Sequence, residues 1–115
     1  AAGYPAEVRI ETALEPVSVG RDQALPLGLV INEIVSNAFK HAFSREEKGS
    51  LYVGLDRIGE GARIVIRNDG SGYVPEESRR GMGSRLIAAF VEQIGGALAI
   101  ESGEGTTVTV TFPLR

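Results

Sequence analysis

The apolar residues of this chain change period from two to about three and a half and back, twice over, and that alternation restricts the fold more than any other feature. From Ala24 to Phe43, Leu27, Val30, Ile31, Ile34, Val35, Ala38, Phe39 and Ala42 recur every three or four positions, which marks one apolar stripe on a helix. Leu86, Ile87, Phe90, Val91 and Ile94 repeat the pattern, and Gly95-Gly96 stops it. Around these runs the period is two. Val8, Ile10 and Thr12 alternate with Arg9 and Glu11 as in a half-buried strand, and Leu51, Val53 and Leu55 behave alike. Ile64, Val65 and Ile66 form a short buried strand between Arg63 and Arg67, while Ala97 to Glu101 and the β-branched Thr107 to Phe112 supply two more. Turns are expected at Gly20, at Gly49-Ser50, at Gly59-Glu60-Gly61 and from Gly103 to Gly105, and Asp22 can cap or charge the first helix.

The order strand, helix, hairpin, loop, helix, hairpin predicts an α+β fold. It is a two-layer α/β sandwich in which one mixed sheet carries its helices on one face and leaves the other for a partner domain. A length of 115 residues suits a single domain, and 43% hydrophobic with 23% charged residues is the composition of a packed protein, not of a disordered tail. No apolar run reaches the roughly 18 residues that cross a bilayer, and no basic-then-apolar leader opens the chain, so no direct membrane contact is expected of this domain. The absence of Cys removes disulfides, thiolate nucleophiles and Cys-based zinc sites, in keeping with a reducing cytoplasm. A net charge of -3 argues against a broad nucleic-acid surface, so any phosphate site must be local. Met82 is the one methionine, and residues 1–115 are therefore expected to be a domain cut from a longer protein.

Three clusters can carry chemistry. On the first helix Glu33, Asn37 and His41 stand at i, i+4 and i+8 with Lys40 beside them, on one face next to the apolar one. A neutral Asn oxygen suits magnesium, which keeps waters and substrate phosphates in its shell, and Lys40 can then reach a phosphate oxygen. The second cluster, Asn68-Asp69-Gly70-Ser71-Gly72, follows a buried strand, and its glycines let backbone approach a flat ligand. The third, Gly81-Met82-Gly83-Ser84, opens the second helix, where free N–H groups and the positive end of the dipole favour anions. Taken singly, a solvated helix face, an ordinary turn and a helix cap account for them.

Taken together and in order, they resemble a known family. Leu29 to Phe43, LVINEIVSNAFKHAF, looks like the N-box of the histidine-kinase, gyrase and Hsp90 type of ATPase with its Bergerat ATP-binding fold, in particular the HisKA_2 and HWE kinases. Asn68 to Gly72 is similar to the first glycine box of that family, Gly81 to Gly83 to the second, and Gly105-Thr106-Thr107-Val108 through Pro113 to its closing Gly-Thr strand. The resemblance spans nearly the whole chain. It implies that Asn37 ligates Mg2+, that Glu33 orients a water or nucleophile near the phosphates, and that Lys40 binds phosphate with His41 close by. It further implies that Thr106 helps hold adenine and that Gly81 and Gly83, flanked by Arg80, Met82 and Ser84, make room for the phosphate tail of ATP. In the first box, alignment on Gly70 and Gly72 puts Asn68 where the family has its adenine-reading Asp, with Asp69 one residue later. An Asn oxygen can still accept from the adenine amino group, without the carboxylate charge that strengthens such a bond.

The function this implies is the catalytic ATP-binding domain of a two-component sensor histidine kinase, delivering the γ-phosphate to a His on a separate dimerisation domain. The expected partners are that domain and a response regulator, the domain is expected in the cytoplasm, and the parent is expected to be a homodimer. His41 is the single histidine and falls in the nucleotide site, so the chain alone is expected not to autophosphorylate. A serine kinase acting as an anti-sigma factor, or a degenerate nucleotide-binding or protein-binding module, are the alternatives.

Overall fold

The computed structural model describes residues 7–39, 48–70 and 82–114. In chain order the elements are β1 (Glu7–Leu14), α1 (Arg21–Asn37), β2 (Lys48–Ile58), β3 (Gly61–Asn68), α2 (Met82–Gln93), β4 (Ala97–Ser102) and β5 (Thr106–Pro113). The five strands form one sheet in the order β1-β2-β3-β5-β4, with β1 parallel to β2 and every other pair antiparallel. A parallel pair needs a long crossover, and α1 lies within it. The mixed sheet and its two helices make the α+β sandwich that the order of periods implies.

Strand alternation decides which face is covered. On β3 Ala62, Ile64, Ile66 and Asn68 are buried, and on β5 so are their ladder partners Phe112, Val110, Val108 and Thr106. These side chains meet Val30, Ile34 and Ala38 from α1 and Ile87, Val91 and Ile94 from α2 in one core. The intervening Arg63 and Arg67 are exposed, so the opposite face is open to solvent among the described residues.

The start of α1 is held by Gln23, not by Asp22. Gln23 Oε1 accepts from Gly20 N–H at 3.2 Å, and its Nε2 donates to the Pro113 carbonyl at 2.7 Å and to the Ile94 carbonyl at 3.4 Å. With 1% of its surface exposed, Gln23 ties the beginning of α1 to the ends of α2 and β5. Asp22 stays in the first turn, where the helix dipole favours a carboxylate. At the far end, Ala38 and Phe39 continue α1 in a wider π-type turn, and the expected extension over 40–43 lies outside the described residues. For α2 the glycine stop behaves as expected. Gly95 takes a positive φ of 76° and donates to the Glu92 carbonyl, while Gly96 donates to the Val91 carbonyl, the paired bonds of a Schellman ending.

Two expectations need correction. Gly49 and Ser50 are not a turn: β2 begins at Lys48, because β1 supplies backbone partners for both, Val8 opposite Gly49 and Arg9 opposite Ser50. Nor is β1 half-buried, since Ile10 and Leu14 are each 60% exposed. Both sit opposite core-facing positions of β2, Leu51 and Leu55, but β1 is the edge strand and lies at the margin of the helical layer.

Candidate functional site

Where β3 and β5 end, their register brings Asn68 opposite Thr106 on the helix-covered face. Asn68 is 7% exposed and Thr106 3% exposed. Such close pairing needs Gly105, because a Cβ there would collide with the Asn68 carbonyl oxygen. From α1, Asn37 reaches the same place and is 9% exposed. The expectation that the polar residues of α1 flank its apolar stripe is thus changed for Asn37, which is buried with Ile34 and Ala38 against one slot. That slot has apolar walls, among them Ile66, Ile87 and Ile100, and three amide or hydroxyl side chains, Asn37, Asn68 and Thr106. Its free space is about 20 Å³, room for about one water, so a flat ring enters only if the walls part.

Glu33 stands one turn before Asn37 and is partly buried. Its Oε2 is buried with no hydrogen-bond partner among the described residues. A buried carboxylate oxygen left without a donor is unfavourable, and groups of this kind call for an explanation such as a bound ion, water or substrate. Asn37 and Glu33, one helical turn apart on α1, both carry hard oxygen donors, a donor set that fits magnesium sharing its shell with phosphates and water. No group of three or more His, Cys, Asp or Glu is clustered among the described residues, and a magnesium held in that way does not require one.

The first two residues of the first glycine box point apart. Asn68 Oδ1 accepts from Gly70 N–H at 3.0 Å, an Asx-type turn that closes the strand end. Asp69 Oδ1 accepts from Ser50 N–H at 2.8 Å, prolonging the β2–β3 pairing beyond the last ladder residue. The carboxylate of Asp69 is thereby committed to the β2 backbone and does not line the slot. Gly70 is buried beside it. Met82, Gly83 and Ser84 form the first turn of α2, as the helix-opening motif predicts. Lys40, His41, Gly72, Arg80 and Gly81 lie outside the described residues.

A larger concavity of about 560 Å³ opens at the same end of the sheet, toward the outer face. The register sets Glu11, Tyr52, Arg67, Thr107 and Glu101 in one row across all five strands, and the Arg67 guanidinium stacks 4.8 Å from the centre of the Tyr52 ring. Sequence reading missed this row because it depends on register. It also missed Gln23, which follows Arg21 and Asp22 as the third polar residue in a row and so does not stand out as buried. Leu98 and Ile100 alternate visibly in β4 and could have been named as facing the core.

Comparison with known proteins follows the same lines. Residues 22–115 match the family model of the histidine kinase-, DNA gyrase B- and HSP90-like ATPases. The chain is 29% identical over 113 residues to blue-light-activated histidine kinase 2 of Erythrobacter litoralis, covering 93% of this chain and 32% of that protein. It is 26% identical over 100 residues to an anti-sigma F factor of Anoxybacillus flavithermus, covering 76% of this chain and 67% of that protein. Its fold superimposes with a TM-score of 0.84 on the histidine kinase domain of an Erythrobacter litoralis blue-light activated histidine kinase, at 27% identity over 93% of this chain and 52% of that one. The chain thus spans about a third of that curated kinase. A family match over most of the chain, four motifs in order and a shared fold make it a member of the histidine kinase-, DNA gyrase B- and HSP90-like ATPase family.

Proposed function

We propose that this chain is the catalytic ATP-binding domain of a sensor histidine kinase, a module of a longer protein, which presents Mg-ATP for transfer of the γ-phosphoryl group to a His on a separate dimerisation domain. The observation that carries this reading is the convergence of Asn37, Asn68 and Thr106, from three distant parts of the chain, on one apolar slot, with the orphaned Glu33 oxygen on the same helix one turn before Asn37. The slot takes the base. Asn37 would hold magnesium, which when bound neutralises phosphate charge. In phosphoryl transfer the protein mainly positions groups and stabilises charge. Here Glu33 supplies a fixed carboxylate that can accept a proton from, or orient, the attacking group. Lys40, His41, Arg80, Gly81, Gly83 and Ser84 are assigned to the phosphate tail, with Met82 beside them and Gly70 and Gly72 leaving room at the base. A cytoplasmic location for this domain, a homodimeric parent and a response regulator as the final acceptor belong to the same proposal.

Titration of the chain with ATP and magnesium tests it. Saturable, magnesium-dependent binding that Asn37→Ala abolishes is the expected result, while no binding at millimolar nucleotide would leave a degenerate module. Incubation with ATP should leave the chain free of phosphohistidine, and addition of the parent's His-bearing domain should restore transfer. The likeness to an anti-sigma F factor favours a second reading, a serine kinase that binds a sigma factor. Transfer to a serine of a co-purifying partner instead of to histidine would select it.

A further inference from the structure

We infer that the base pocket of this domain offers its ligand a hydrogen-bond donor where an adenine amino group would need an acceptor, so that 6-oxopurine triphosphates bind at least as tightly as ATP. The inference rests on the reading of the slot as a nucleotide site and names the base class it takes.

The orientation of Asn68 is fixed by chemistry. A backbone N–H only donates, so the atom of the Asn68 amide that meets Gly70 N–H at 3.0 Å is the oxygen. The other end of the amide, Nδ2 with its two N–H groups, has no hydrogen-bond partner among the described residues. Asn68 is more than nine-tenths buried and lines the slot, and Nδ2 is the end of its amide left for a ligand to meet. A ring edge that meets Nδ2 must bring an acceptor. The 6-oxo group of hypoxanthine or guanine is one, whereas the 6-amino group of adenine would set donor against donor.

The Asn68 oxygen keeps a second lone pair, but it is fixed on Gly70 N–H and can accept only from the side which that bond leaves free. Two other routes could restore an acceptor, and the structure closes or burdens both. The neighbouring carboxylate of Asp69 is held on Ser50 N–H at 2.8 Å and does not line the slot. Rotating the Asn68 amide by half a turn would bring Oδ1 to the base, but it would set Nδ2 against the Gly70 N–H and leave that buried donor unpaired, which is unfavourable. Thr106, opposite Asn68 in the ladder, can donate or accept through its hydroxyl and so does not discriminate between the two purines.

The test is a set of titrations of the folded 115-residue chain with ATP, ITP and GTP in the presence of magnesium. ITP carries the 6-oxo group on an otherwise ATP-like purine and is the decisive probe. The expected result is a Kd for ITP equal to or below that for ATP, and a Kd for ITP more than threefold above that for ATP overturns the inference while leaving the nucleotide site standing. Failure of all three to bind at millimolar concentration overturns the site itself and the inference with it. In Asn68→Asp a carboxylate oxygen replaces Nδ2 while the other can keep the Gly70 bond, so the ATP-to-ITP preference should move toward ATP by about tenfold. An unchanged ratio in a variant whose melting curve matches the parent would count against Asn68 as the residue that reads the base. If that variant does not fold, the wild-type ratio alone decides.

Discussion

Replacing Gln23 by alanine should destabilise the domain far more than a polar residue in the first turn of a helix ordinarily would. Its side chain makes a 2.7 Å bond to the Pro113 carbonyl and weaker ones of 3.2 and 3.4 Å to Gly20 and Ile94, all at a site with 1% exposure. The short bond contributes roughly 1 to 1.5 kcal/mol, the two longer ones together about 1 kcal/mol. The space left by four missing heavy atoms adds about another 1 kcal/mol. The sum, about 3 kcal/mol, is a large share of the roughly 5 to 15 kcal/mol that holds a small domain together. It should lower the melting temperature by about 12 °C, at roughly 4 °C per kcal/mol for a chain of this size. Urea unfolding followed by circular dichroism gives the free energy directly, with the m-value checking two-state behaviour. Gln23→Met separates the causes, since it keeps the volume without the donor and should retain about a third of the lost stability. A loss below about 1 kcal/mol in Gln23→Ala would refute the view that this residue clasps both helices to β5.

The other predictions concern the slot. Gly105→Ala should cost about 1 to 3 kcal/mol of stability, because the new Cβ must push the Asn68 carbonyl away, and nucleotide affinity should fall with it; an unperturbed melting curve would show that the strand ends are not so close. Glu33→Gln should abolish phosphoryl transfer to the partner domain yet leave the fold equal or up to about 1 kcal/mol more stable, since it removes charge from an oxygen that no donor meets; a clear loss of stability would mean that the carboxylate has a structural partner. Asn37→Ala should abolish the magnesium-dependent binding of nucleotide, read by titration with and without chelator. On the outer face, the hydrogen bond and charge of Asp56 raise the Arg63 guanidinium above its ordinary pKa. Whatever this pair contributes is fully present below that value and is lost only as pH rises past it, so the pH profile of stability across the neutral range should be the same in Asp56→Asn as in the parent.

Much of this architecture could be read from the chain because local periodicity and sheet burial agree. The stripe from Leu27 to Phe39 faces the core, and the alternation in β3 and β5 falls on the residues that are buried. What could not be read depended on distant partners. Gly49 and Ser50 have the composition of a turn, and only the parallel approach of β1 makes them strand. Ile10 and Leu14 alternate like buried residues, but an edge position leaves them exposed. At the site, the types of Glu33, Asn37, Asn68 and Thr106 pointed to nucleotide chemistry. Spacing could not say that Asp69 would turn to Ser50, nor that Asn68 would hold its own oxygen on Gly70.

Because the slot draws on Asn37, Asn68 and Thr106, it has no local precursor on the folding pathway. Two loop closures, each of more than thirty residues, must precede it, and the loss of chain entropy comes before any contact around the base. Nucleotide binding is therefore a reporter of the finished topology rather than of helix or hairpin formation. In a refolding experiment, the recovery of binding should lag the recovery of helical signal and coincide with docking of β5, which lies between β3 and β4.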